Sequence, residues 1–411
     1  MNKKGLLFLV LVTVLHSACT QSLSLEEALQ KALKHNAGLQ SSAYSVQQSK
    51  ALIKAAAELP KTDVNLMYGK YNSINNDNNI TITQTFPFPV SIARQVQLAR
   101  KQHQLAESDY EVKRQQIITE VKSVFYQLLF LREKMRLRQR ADSLMGELAK
   151  VATVRYRTGD GTLLEKTTAE TQHREAQLQV VQTRAEYYAL LSQLSALINA
   201  PVTNVEGVLQ ERAASVADTL LKEYNPLWKR ESIRFEASRA ATLAESSRLW
   251  PDMRIGYFNQ TLIGVQNVDG SDVYFGPGTR FEGFEAGITL PLWIFPFRHR
   301  IRAAKLNEQA SAAALQQTGV QVQSRWAQLM QQLRSVAELL QYYRQQGLPA
   351  AELLVEQSRK AYQAGEVHYV VALTSYQQAL RIREEYAGAI NTWNQLIIEL
   401  EFLSGNSYEE N

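Results

Sequence analysis

An apolar seam with heptad spacing is written twice in this chain, and few folds accommodate it. Ile117, Val121, Val124, Leu128, Leu131 and Met135 follow a 4-3-4-3-4 spacing. A shift of 205 positions gives Val322, Trp326, Leu329, Leu333, Val336 and Leu340. Tyr187, Leu191 and Leu194 return at a shift of 206 as Trp393, Ile397 and Leu400. Such spacing inserts each apolar side chain between side chains of a neighbouring helix, whereas a helix lying on a globular core shows a wider stripe. Long helices packed side by side are expected, in two repeats at 21–210 and 211–405.

The helices are expected to be unusually long. Ser91 to Tyr156 contains no proline, and only Gly146 interrupts it. A helix of that extent reaches ~99 Å at 1.5 Å per residue, about the depth of a bacterial periplasm. Phe297 to Tyr362 repeats the length, but Gly347 and Pro349 should bend or break it. Each long helix ends at a glycine turn, near 156–163 with Gly159-Asp160-Gly161 and near 362–368 with Gly365. Another helix then runs back. The turns share a Tyr-x-x-Gly pattern, Tyr156 to Gly159 and Tyr362 to Gly365, displaced by 206. Glycine there supplies the left-handed conformation that caps a helix.

Once in each repeat the period switches from helical to two. Val64, Leu66 and Tyr68 alternate with polar residues, and after a polar loop so do Ile80, Ile82, Gln84 and Phe86. In the second repeat Met253, Ile255 and Tyr257 are followed by a loop from Gly264 to Gly283 and then by Phe284, Ala286, Ile288 and Leu290. Hairpins are expected at about 62–87 and 252–291. Alternating strands of this length with aromatic ends are the signature of membrane barrels; a soluble hairpin packed on helices is the alternative. Four strands leave two open edges, which hydrocarbon does not tolerate, and small membrane barrels have at least about eight strands. The chain is therefore expected to share its barrel with copies of itself. A two-, three- or four-fold ring satisfies closure.

Residues 1–20 read as a signal peptide: Lys3 and Lys4, an apolar core from Leu6 to Leu15, then Ser17 and Ala18. That core is too short to span a bilayer, which takes ~20 apolar residues. Cys19, the only cysteine, is either acylated after cleavage or lost with the leader, and it excludes an internal disulfide framework. The formal charge of +5 includes the leader lysines and carries no nucleic-acid signal. Residues 406–411 form a C-terminal tail.

Taken with Ser24-Leu25-Glu26-Glu27-Ala28-Leu29, Thr85-Phe86-Pro87-Phe88-Pro89, its echo Thr289-Leu290-Pro291-Leu292 and the two Tyr-x-x-Gly turns, the chain resembles the TolC family of outer-membrane factors. The resemblance implies a mainly α fold with a small membrane β portion: helical hairpins in a trimeric α-barrel, and four strands per protomer in a shared twelve-stranded barrel. It implies a homotrimer in outer-membrane lipid, extending into the periplasm and working with a periplasmic adaptor (membrane fusion protein) and an inner-membrane transporter of the RND type. The turns become the periplasmic tip, where Arg155, Tyr156, Gly159, Gly161, Tyr362, Gly365 and Glu366 are expected to dock the adaptor. Members of the family carry pore-facing aspartates six and nine residues after the second tip glycine. Here those places hold Val371 and Thr374, and the first tip offers Glu165 and Thr168. Glu165 is either a pore carboxylate or a solvated helix charge.

Within the family, Phe86-Pro87-Phe88-Pro89 resembles ducts of the CusC and CzcC heavy-metal efflux type. The chain supplies no metal chemistry of its own: its histidines at 16, 35, 103, 173, 299 and 368 form no pair at ligand spacing, and His103 and His299 read as solvated. A duct needs a wide polar lumen rather than a binding site. Drug or amphiphile efflux, type I protein secretion and a non-conducting coiled-coil scaffold are the alternatives. No nucleophile elbow, phosphate loop or His-Glu-x-x-His is present, so neither an enzyme nor a cofactor is expected.

Overall fold

The computed structural model describes residues 22–213 and 222–405. The signal peptide with Cys19 and the tail at 406–411 lie outside the described residues. The element order is α1 (Leu25–His35), α2 (Ala37–Ala55), β1 (Asp63–Gly69), β2 (Asp77–Phe86), α3 (Pro89–Thr158), α4 (Leu163–Ile198), a 3-10 turn (Lys222–Tyr224), α5 (Pro226–Ser247), β3 (Asp252–Gln260), β4 (Gly264–Val268), β5 (Ser271–Phe275), β6 (Phe281–Thr289), α6 (Ile294–Tyr342), a π turn (Tyr343–Gly347), α7 (Leu348–Gln363) and α8 (Tyr369–Ser404). No described helix is long and apolar enough to cross a membrane.

The chain divides into two compact units, and each draws on both halves of the sequence. One comprises residues 22–36, 117–213 and 331–399 and holds the turns between helices. The other comprises residues 37–116, 222–330 and 400–405 and holds the sheet.

The first unit starts at a capping box. Ser24 accepts from the Glu27 amide and the Glu27 carboxylate accepts from the Ser24 amide, so two orphan donors of α1 are satisfied reciprocally. That is the physical content of the Ser-Leu-Glu-Glu motif. A parallel bridge joins Leu23 to Val205. It anchors a strap after α4, which side chains hold by its carbonyls: Arg132 donates to Val205 O at 2.6 Å and also to Gly207 O. Asn394 Nδ2 donates to Gln210 O and Trp393 Nε1 to Arg212 O.

Helix α3 runs unbroken through Gly146. A Cβ there would come within 3.1 Å of the His173 imidazole, so the glycine makes room for a side chain of α4. The heptad residues Ile117, Val121, Val124, Leu128 and Leu131 are buried, but so are Ile118, Phe125 and Leu129. The buried stripe is thus wider than a two-helix seam, because α3 packs against more than one neighbour. In the second repeat, the expected break at Gly347 and Pro349 is a single π turn, after which α7 continues with Pro349 in its first turn. A π turn relaxes the i→i+4 ladder locally, and proline in a first turn forfeits no hydrogen bond.

In the second unit the sheet has the order β1-β2-β3-β6, every pair antiparallel. The segment read from sequence as a loop from Gly264 to Gly283 is not one. It carries the separate ribbon β4–β5, and β6 begins at Phe281 rather than Phe284. The ribbon reverses at Asp269 (φ 52) and Gly270 (φ 86), an Asp-Gly hairpin turn hidden in a stretch that looked like loop composition.

Candidate functional site

At the helix turns, Gly159 has φ +84 and Gly365 φ +78, and a Cβ on either would meet nothing within 4 Å. Backbone conformation alone therefore calls for glycine. Both turns close with the same hydrogen bond 206 positions apart: Asp160 N donates to Arg155 O and Glu366 N to Ala361 O, each at 2.9 Å. Gly161 N also donates to Arg155 O, and a Cβ on Gly161 would come within 3.1 Å of Arg155 Cβ and 3.2 Å of the Tyr156 amide. Its glycine is there for space.

The structure brings part of the expected cluster together. The Arg155 guanidinium lies 5.7 Å from the centroid of the Tyr362 ring, and Lys166 Nζ lies 5.4 Å from that of Tyr156. Tyr362 is buried, whereas Tyr156, Gly365 and Glu366 are exposed. Tyr362 belongs to a packed core with Met145, Leu148, Ala152, Ala169, Tyr369 and Tyr376. The hydroxyls of Tyr369 and Tyr376 have no hydrogen-bond partner among the described residues. Burial pushes the phenols of Tyr369 and Tyr376 up to about 12, and it raises Tyr362 against the opposing pull of Arg155.

Glu165 closes a second capping box: the Thr162 hydroxyl accepts from its amide and its carboxylate accepts from the Thr162 amide. Its side chain is half-buried. Thr168 is half-buried, Val371 and Thr374 are exposed, and Thr374 Oγ1 donates back to Val370 O and Val371 O. Sequence reasoning missed Tyr369 and Tyr376, which continue Tyr362 at intervals of seven and so were legible as a seam. It also missed the exposed apolar side chains around the turns, Val154, Leu163, Leu164 and Val370. His103 is not solvated: it meets Ser49 Oγ at 3.0 Å and Glu107 at 3.4 Å. His299 is exposed.

The sheet sorts its side chains by register. Val64 faces Ile82, Leu66 faces Ile80, Ile82 faces Tyr257, Met253 faces Ile288 and Tyr257 faces Phe284. These share one face, and Leu66 (70%), Phe284 (84%) and Ile288 (70%) are open. The opposite face carries Thr81, Thr83, Thr85 and an Arg254–Glu285 ion pair at 3.2 Å. On that face β3 and β6 set a glycine against a larger residue at three successive pairs: Arg254–Gly287, Gly256–Glu285 and Phe258–Gly283. A Cβ on Gly283 would come within 2.8 Å of the Phe258 ring and one on Gly256 within 2.6 Å of the Glu285 carboxylate, so these two glycines make room for their partners.

A polar face, an exposed apolar face and two edges unpaired among the described residues are what strands of a shared membrane barrel present. Residues 28–200 match the family model of the outer membrane efflux protein. Among solved structures, the outer-membrane protein VceC of Vibrio cholerae is similar with a TM-score of 0.77 and 16% identity, over 93% of this chain and 96% of that one. The CmeC outer-membrane channel of Campylobacter jejuni gives 0.77 and 14%, over 94% and 86%. CusC gives 0.77 and 13%, over 93% and 92%. No curated protein matches the chain. The family match covers residues 28–200, and the solved outer-membrane channels share the fold over nearly the whole chain.

Proposed function

We propose that the chain is one protomer of a homotrimeric exit duct, passively conducting substrate from an inner-membrane pump and its periplasmic adaptor across the outer membrane. The observation that carries this reading is the sheet. Its apolar face is open, its edges β1 and β6 are unpaired among the described residues, and unpaired edges are not stable in hydrocarbon. Pairing β6 of one copy with β1 of the next removes every edge, and three copies give the family's twelve strands. The reading assigns no catalysis to the chain.

The turns serve as the periplasmic tip. Exposed Leu163, Leu164, Val370 and Val371, beside the Arg155–Tyr362 and Lys166–Tyr156 contacts, offer an adaptor hairpin an apolar seat with a cationic rim. Leu164→Glu is expected to weaken adaptor capture at least tenfold in a pull-down while the trimer persists; undiminished capture would remove Leu164 from the seat. Three Glu165 carboxylates line the pore and favour cations by focusing potential in a narrow aperture. Glu165→Gln isolates the charge, since glutamine also completes a capping box. It is expected to lower cation selectivity in single-channel recordings.

The cargo is heavy-metal cations delivered by an RND-type pump, a reading supported by the resemblance of the Phe86-Pro87-Phe88-Pro89 turn to ducts of that type. Growth and metal accumulation in a strain lacking the protein test it, across copper, silver, zinc, cobalt, cadmium and nickel, with bile salts and dyes for comparison. Sensitivity confined to metals supports the assignment. Sensitivity to amphiphiles alone moves the cargo to drug efflux.

A further inference from the structure

The segment after β6 exposes what its counterpart in the first repeat covers. After β2, Phe88 stacks on Trp250 with ring centroids 4.8 Å apart, Ser91 Oγ donates to Ser247 O and Arg94 donates to Gln97. After β6, Leu292 (81%), Trp293 (83%) and Phe295 (68%) stand open. Arg298, His299, Arg300, Arg302 and Lys305 follow at once, all exposed. The four cationic side chains, Arg298, Arg300, Arg302 and Lys305, make no ion pair or hydrogen bond among the described residues. No acidic residue lies between Glu285 and Glu308, and Glu285 is already held by Arg254.

Helical spacing sorts this cluster. Phe295, Arg298, Arg302 and Lys305 recur at intervals of three and four, so they share one face of α6. That face passes from aromatic to cationic over about three turns, beginning where the apolar sheet face ends. A mainly apolar crevice with Leu290, Leu292, Trp293 and Phe297 in its walls, and Glu58, Arg248 and Asp252 also lining it, opens beside it. Aromatic side chains settle at the level of lipid headgroups, and cations just beyond them meet lipid phosphate. Exposed cations without carboxylate partners are stable there because the headgroup neutralises them.

We propose that Arg298, Arg302 and Lys305 form a basic collar that binds the headgroups of anionic phospholipid in the periplasm-facing leaflet, with acyl chains against Leu292, Trp293 and Phe295. The collar rests on the reading of the sheet as a barrel wall. It fixes the depth of the barrel in the membrane, since the aromatic and cationic levels together define one position along α6.

The test is native mass spectrometry of the full detergent-solubilised protein with phosphatidylglycerol and phosphatidylcholine added in equal amounts. The wild type is expected to retain phosphatidylglycerol roughly tenfold better, and R298Q/R302Q/K305Q to retain both about equally. R298K/R302K keeps the preference because it keeps the charge, and the exposed set K150Q/R174Q/R184Q of the other unit leaves it intact. No preference in the wild type, or a preference undiminished in the triple variant, overturns the proposal. So does a triple variant with unchanged lipid retention but a shifted reversal potential, which places the stripe in the lumen, or one that fails to form trimers, which places it between copies. A wild type that extracts without detergent would instead sink the barrel-wall reading itself.

Discussion

Tyr369 and Tyr376 carry two buried hydroxyls with no partner among the described residues, and an unsatisfied buried hydroxyl costs about 1–3 kcal/mol. Tyr369→Phe and Tyr376→Phe are therefore expected to raise thermal stability, by about 1 kcal/mol each in denaturant titration. Their phenols, pushed up to about 12 by burial, also make stability depend on pH. The folded state holds these protons more tightly than the unfolded chain, whose phenols titrate near 10. The contribution is therefore complete below pH 10 and lost as pH rises through 12. Melting temperature should fall over that window in the wild type and fall less in the double Phe variant. At the turns, Gly159→Ala and Gly365→Ala meet no neighbour but hold a left-handed conformation, costing about 1–2 kcal/mol. Hydrogen exchange is expected to quicken at the affected turn alone.

At the scale of elements, loops are held by single polar side chains. Asp77 is fully buried and accepts from Ser73 Oγ at 2.8 Å, Thr261 Oγ1 at 3.0 Å and Ile263 N at 2.8 Å. It thus ties the β1–β2 loop to the segment leading into the β4–β5 ribbon. Asp77→Ala leaves those donors unpaired, costing about 1–3 kcal/mol locally. Limited proteolysis should then cut near 264–280, with the β1-β2-β3-β6 sheet still protected. Arg132 acts likewise on the strap, and Arg132→Ala should release residues 205–207 while α3 stays helical by circular dichroism.

For the whole molecule, closure of the sheet is the quantity to measure. In the trimer reading β1 meets β6 of the next copy. Leu66→Pro on the β1 edge removes a backbone donor that the neighbour needs. Light scattering in detergent should report a mass three times that of the chain for the wild type and a loss of that species for the variant. A variant trimer of undiminished stability would show that β1 is not at the junction.

Local chemistry and periodicity determined much of this protein in advance. The heptad seam set long helices, period-two alternation set four strands with one apolar face, and Tyr-x-x-Gly set two capped turns. Each of these is written in residues close together in the chain, where spacing maps directly onto a face. What depended on contacts across hundreds of residues was not legible. The Asp-Gly turn of β4–β5 was hidden because a short exposed ribbon has no buried face to impose a pattern. The role of Gly146 required knowing that His173 lies against it, and the burial of Tyr362 required four helices to converge around it. The π turn at Tyr343–Gly347 resolved a conflict that sequence could only mark, since whether Gly347 and Pro349 break a helix depends on what packs around them. Tertiary packing decided these points, because burial and close approach belong to pairs of elements and not to any one of them.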